Sequence, residues 1–118
     1  MSSHDYINRR QYPRYDLEYT IQLISPNGDM VITALTSNIS DGGFRVPLPA
    51  ESLPECGRET QVNLTIRREQ TGDVEKHTGF GRVIRHSDQD GDGVAEIVVK
   101  FFEPMNLHLD EENIILSL

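Results

Sequence analysis

Two short stretches hold residue types suited to gripping a small, anionic, hydrogen-bonding ligand. The first is Arg9-Arg10-Gln11-Tyr12-Pro13-Arg14. Guanidinium forks make paired hydrogen bonds to phosphate oxygens or to the O6/N7 edge of guanine, and they also stack on base faces. Pro13 disfavours the helical region for Tyr12, so the segment reads as an extended or turning arm. Arg10 and Arg14 on such an arm can converge on one ligand. The second stretch is Asn38-Ile39-Ser40-Asp41-Gly42-Gly43. Asn38 and Ser40 can aim an amide carbonyl and a hydroxyl at a bound base, with Gly43 leaving room for close approach. Each stretch also has a plain reading. The arm can be a solvated basic segment. The second stretch can be a hairpin turn whose Asn, Ser and Asp bond to local backbone and whose glycines supply positive φ.

No other residues make a comparable set. Asp88-Gln89-Asp90-Gly91-Asp92-Gly93 imitates the start of a calcium loop, but its twelfth position is Val99, where such a loop needs a bidentate Glu. It reads as a solvated hairpin. His4, His77, His86 and His108 lack metal-ligand spacing and read as surface residues, so no metal is expected. Ser40 is not in a Gly-x-Ser-x-Gly setting and no His/Asp set accompanies it, so no catalytic residue is assigned. Nothing near the loop residue Cys56 marks a reactive thiol.

The elements that must position the two stretches have a period of two. Tyr19, Ile21 and Leu23 alternate with polar residues. So do Phe44, Val46 and Leu48, and Val62, Leu64 and Ile66. Such alternation places one strand face in a core and the other in water. Met30 to Thr36 and Thr78 to Arg85 are β-rich with weaker patterning. Val94 to Phe102 is more continuously apolar and reads as buried on both faces. Turn-forming clusters separate these runs at Pro26 to Asp29, Asp41 to Gly43, Pro49 to Gly57, Gln70 to Gly72 and Ser87 to Gly93. Six antiparallel strands in a small closed or nearly closed barrel are expected, since closure removes exposed edges. Asp110 is placed to cap a short C-terminal α-helix, with Leu107, Ile114, Ile115 and Leu118 on one face over a barrel opening. The expected organisation is a flexible arm over residues 1–17 and a barrel over 18–118.

A chain of 118 residues fits one domain with a real core. The longest apolar stretches fall far short of the roughly 20 residues a membrane helix needs. The polar first residues do not read as a signal peptide, and one cysteine allows no internal disulfide. The expectation is a soluble, cytoplasmic protein without membrane insertion. The net charge of −8 argues against duplex nucleic acid as a partner. Charge is nevertheless concentrated locally. Arg9, Arg10 and Arg14 lie together, with no acid between Tyr6 and Tyr15, so a compact anion site is compatible with the acidic whole.

The two stretches are more specific together than apart. Arg10-x-x-x-Arg14 precedes the first strand, and Asn38-x-Ser40-x-x-Gly43 follows after two strands. This arrangement resembles the PilZ domain family, with its Arg-x-x-x-Arg and Asp/Asn-x-Ser-x-x-Gly motifs. The likeness extends to Phe44-Arg45-Val46 after the glycines and to Gly81-Arg82-Val83. The resemblance implies a six-stranded antiparallel barrel that binds cyclic di-GMP, a receptor and not an enzyme, with no further cofactor. By that likeness Arg10 and Arg14 contact guanine edges and phosphates, Asn38 and Ser40 bond a guanine, and Gly43 permits its approach. Arg9 adds a phosphate or stacking contact, and an arginine there favours a stacked pair of nucleotides. The expected mechanism is ordering of the arm by ligand, read by a separate, unidentified downstream protein because no output domain is attached. Two rival readings are a protein-interaction barrel that binds no nucleotide and a single-stranded nucleic-acid binder. The acidic balance and only eight aromatic residues disfavour the latter.

Overall fold

The computed structural model describes residues 12–49, 51, 53–68, 71–86 and 93–109. Those residues form seven strands: β1 (Thr20–Ile24), β2 (Val31–Leu35), β3 (Asn38–Ser40), β4 (Gly43–Pro49), β5 (Glu59–Arg67), β6 (Val74–His86) and β7 (Val94–Phe101). All neighbours are antiparallel, in the order β2-β1-β5-β6-β7-β4-β3. This corrects the expected six-stranded barrel in two ways. The additional strand is β3, which lies inside the Asn38–Gly43 stretch. The hydrogen-bonded ladder is also open, because β2 and β3 end it and do not pair with each other. Yet only Thr36 and Ser37 connect these two ends. Three peptide steps reach about 10 Å, so the sheet must curl until its outermost strands meet. Backbone bonds close the seam locally: Thr36 N–H donates to Tyr19 O (3.0 Å) and Ser37 N–H to Arg45 O (2.8 Å).

The curl follows from alternation. Ile21 and Leu23 on β1, Val62, Leu64 and Ile66 on β5, and Val46 and Leu48 on β4 all point to one interior, as their period predicts. Ile39, Val83, Ile97 and Val99 complete it, each fully buried. Burying one such side chain contributes about 1.5–3 kcal/mol. β7 is buried on one face only: Ala95, Ile97, Val99 and Phe101 point inward, while Val94 and Lys100 are exposed. Its outward residues Val98 and Lys100 instead line a surface cleft. A register shift between Val83 and Arg85 bends β6 against it.

No named helix lies among the described residues. The helix expected from Asp110 falls outside them. Leu107, placed on that helix by its spacing, belongs instead to an irregular segment after β7, where it and Leu109 seal the core. No helix among the described residues is long and apolar enough to cross a membrane.

Candidate ligand-binding cleft

Ahead of Leu17 and Tyr19, which bond to Thr36, an isolated bridge ties the chain to β3. Tyr15 N–H donates to Ile39 O and Ile39 N–H donates to Tyr15 O, both at 2.9 Å. Ile39 points into the core and Tyr15 packs against it. Period-two alternation therefore turns Arg14, Asn38 and Ser40 to the opposite, outer face. This brings an arginine before the first strand beside a polar turn after the second, far apart in sequence. One antiparallel bridge makes them neighbours.

Together they line an outer-face cleft of about 380 Å³. Its floor is the outer surface of β3, β4 and β7, and its rim includes Tyr12, Ile84, Phe102 and Pro104. Of the six residues predicted to bind ligand, Arg14, Asn38, Ser40 and Gly43 meet here. Arg9 and Arg10 lie outside the described residues. Two further cations, Arg45 and Lys100, line the cleft and escaped the sequence reading. Arg45 had a signal of a kind, as an outward polar residue in the strand leaving the turn. Lys100 had none, because only the register Gly43↔Lys100 brings it to the turn.

The Ser40–Gly43 turn is internally bonded. Ser40 Oγ accepts from Gly42 N–H (3.1 Å) and donates to Gly43 O (3.3 Å). A hydroxyl has one donor and two acceptor lone pairs, so one acceptor remains for a ligand. The glycines are needed for space and not for left-handed backbone, contrary to the turn chemistry expected of them. Positive φ among the described glycines occurs at Gly28, Gly57, Gly72 and Gly93 only. A Cβ at Gly42 would sit 2.7 Å from Cδ2 of Tyr12, whose ring lies over the turn. A Cβ at Gly43 would collide with the Val99 carbonyl oxygen on β7. Gly81 on β6 serves the same strand from its other side, where a Cβ would sit 2.6 Å from Lys100 O.

One polar group at the cleft is buried and unsatisfied: Arg45 Nε has no hydrogen-bond partner among the described residues, while its Nη1 forms an ion pair with Glu96 Oε1 at 3.7 Å, beyond hydrogen-bond range. The Asn38 side chain has no hydrogen bond among the described residues, although its backbone pairs with Arg45. Among the described residues the Ser40 hydroxyl is bonded only to its own turn. No group of His, Cys, Asp and Glu able to hold a metal occurs among the described residues. What the cleft offers is three cations, an amide, a hydroxyl lone pair and apolar walls.

The fold has solved counterparts. The Bacillus subtilis inhibitor of motility MotI/DgrA superposes with a TM-score of 0.70 at 20% identity, over 92% of this chain and 48% of that one. This chain thus spans about half the length of that protein. The PilZ domain of YcgR from Escherichia coli, solved with c-di-GMP, gives 0.57 at 20% identity over 93% and 91% of the two chains. The MrkH–c-di-GMP complex of K. pneumonia gives 0.59 at 20% identity over 92% and 49%. At these identities the likeness establishes the fold. No curated protein matches the sequence. The PilZ domain family model matches residues 8–117, nearly the full length, and the chain belongs to that family.

Proposed function

We propose that the outer-face cleft binds cyclic di-GMP and that the domain acts as a receptor, not an enzyme. The observation that carries this reading is the meeting of Arg14, Asn38 and Ser40 in one cleft beside Arg45 and Lys100. Cyclic di-GMP presents two guanines and two phosphates. The guanines need donor and acceptor edges, which Arg14, the Asn38 amide and the free lone pair of Ser40 supply. The phosphates need cations, and the local charge is positive although the whole chain is −8. The solved relatives YcgR and MrkH, which hold c-di-GMP, support the same choice of ligand.

Arg9 and Arg10 are assigned to the same ligand through the Arg-x-x-x-Arg motif, with Arg9 favouring a stacked pair of nucleotides. Gly43 keeps its proposed part in admitting the guanine, in addition to its contact with β7. The proposed signal is ordering of the arginine arm by nucleotide, N-terminal to the Tyr15–Ile39 bridge that already holds the chain to β3, which creates a surface read by a separate downstream protein.

Isothermal titration with cyclic di-GMP, with GTP as control and Arg14→Ala beside the unmodified protein, tests the reading. Micromolar or tighter binding, absent for GTP and weakened in the variant, is expected, with two nucleotides per chain. Saturation at one nucleotide removes the stacked pair. No binding at high micromolar nucleotide removes the receptor reading. Hydrogen exchange across residues 5–16 is expected to slow with nucleotide, and unchanged rates there sink the arm mechanism.

A further inference from the structure

The Asp41-Gly42 turn that carries Ser40 and Gly43 is bonded on its far side to the end of β7 and the segment that follows it. Phe101 N–H donates to Gly42 O (3.0 Å), Met105 N–H to Asp41 O (2.9 Å), and Leu107 N–H to Asp41 Oδ1 (3.1 Å). The same Leu107 is held from the other direction. Its carbonyl accepts from Arg68 Nη2 at 2.6 Å, and the His108 carbonyl accepts from Arg68 Nη1 at 3.3 Å. Arg68 is buried, and its Nε donates to Glu75 Oε2 at 2.7 Å. Arg68 does not line the cleft. One residue, Leu107, therefore joins the guanidinium to the binding turn, with its C=O bonded to Arg68 and its N–H to Asp41. Its fully buried side chain lets this peptide move little relative to the core.

We infer that Asp41 and Arg68 are positioning residues for the nucleotide cleft, acting on Ser40 and Gly43 through the backbone of Leu107. Asp41 fixes the turn directly. Arg68 fixes the peptide to which Asp41 is bonded. Arg68 has the geometry for this because a guanidinium can serve two carbonyls and a carboxylate together, whereas a lysine ammonium lacks the planar fork. The same segment supplies Phe102 and Pro104 to the cleft rim, so a loosened Leu107 also loosens a wall. Binding energies at the two ends are coupled, and by linkage the nucleotide stabilises the clasp as much as the clasp stabilises the nucleotide site.

This inference rests on the cyclic di-GMP reading, and its test separates the two. The full chain is compared with Asp41→Ala, Asp41→Asn, Arg68→Met and Arg68→Lys, each shown folded by its near-native circular dichroism. Without nucleotide, amide exchange at Ser40 to Gly43 is followed. Arg68→Met is expected to speed it about fivefold or more. Arg68→Lys, if Met does not fold, is expected to act in the same direction. With cyclic di-GMP, Asp41→Ala is expected to weaken binding about tenfold, while Asp41→Asn, which keeps the acceptor oxygen, stays within about threefold. Unchanged exchange in the turn of a folded Arg68 variant overturns the inference, whatever the nucleotide does. Equal loss in Asp41→Ala and Asp41→Asn overturns it too, because the Oδ1 bond would not be the working contact. If the unmodified protein does not bind cyclic di-GMP, the receptor reading fails, and the exchange experiment still decides the clasp.

Discussion

Two outer faces of one sheet use the same residue types to opposite ends. On β1, β5 and β6 the outward amides satisfy one another. Asn63 Nδ2 donates to Gln22 Oε1 (3.2 Å), Asn63 Oδ1 accepts from Gln61 Nε2 (3.3 Å), and Thr78 Oγ1 donates to that same oxygen (3.0 Å). These are cross-strand neighbours, Gln22↔Asn63 and Asn63↔Thr78. On β3, β4 and β7 the outward Asn38 amide and the Arg45 Nε have no such partners among the described residues. Polar groups without partners cost stability, about 1–3 kcal/mol when buried. Glu96 on β7 does accept from Ser37 Oγ at 2.6 Å, so the second face differs from the first chiefly at Arg45 Nε and Asn38, the groups that the proposed ligand would meet. A polar surface residue therefore carries functional information mainly through what it is not bonded to.

The contrast can be broken by substitution. The largest effect is expected at Gly43→Ala, where the added methyl meets the backbone of β7. Urea denaturation should show a loss of about 3 kcal/mol with or without ligand. Gly28→Ala, in a turn with open space around it and positive φ, tests whether strain without collision costs less. Next comes Arg14→Ala, expected to weaken cyclic di-GMP by about one to two orders of magnitude in titration while leaving the urea midpoint nearly unchanged. Asn38→Ala and Asn63→Ala sharpen the comparison most directly. The first should weaken nucleotide binding without loss of stability. The second should cost about 1 kcal/mol of stability and leave binding intact. A result with the two exchanged would show that the open face is a structural accident.

Acid acts at the clasp. The Arg68 guanidinium, hydrogen-bonded to Glu75, holds that carboxyl below its ordinary value of 4.5, opposed by partial burial and helped by His77. The folded value lies below the unfolded one. The stabilisation is therefore fully present above about 4.5 and is lost as pH falls through the lowered folded value. Glu75→Gln should remove that part of the acid dependence of the urea midpoint. Because the side chain is 39% exposed, water screens the pair and the change is modest. The smallest effect is expected at Arg82–Glu59, 2.8 Å apart but 48% and 57% exposed. Glu59→Gln should alter stability by less than about 0.5 kcal/mol.

Much of the fold was legible because alternation reports which face of a strand is buried. β1, β4 and β5 fall where Ile21, Val46 and Leu64 predict. β3 was not legible. Three residues are too few for a period to show, and Asn38 and Ser40 are turn-forming types. β7 misled because Val94 and Val98, which face outward, are apolar. Val98 lines the outer-face cleft, Val94 is exposed, and neither belongs to a second core. At the cleft, Arg14, Asn38, Ser40 and Gly43 could be named as a group from their types, and the structure brings these four together. Lys100 could not, because only strand register places it there. The Arg68–Leu107 contact spans 39 positions and leaves no local trace.

The two-residue link between β2 and β3 also bears on how the sheet comes apart. An ordinary open sheet frays from each outer strand separately, and its edges exchange amide hydrogens fastest. Here both outer strands are one continuous piece of chain, Val31 to Ser40, interrupted only by Thr36 and Ser37. Peeling one away pulls on the other, at the opposite end of the ladder. Fraying is thereby converted from two independent local events into one concerted opening, and the amides of Val31–Leu35 and Asn38–Ser40 should share a single protection free energy.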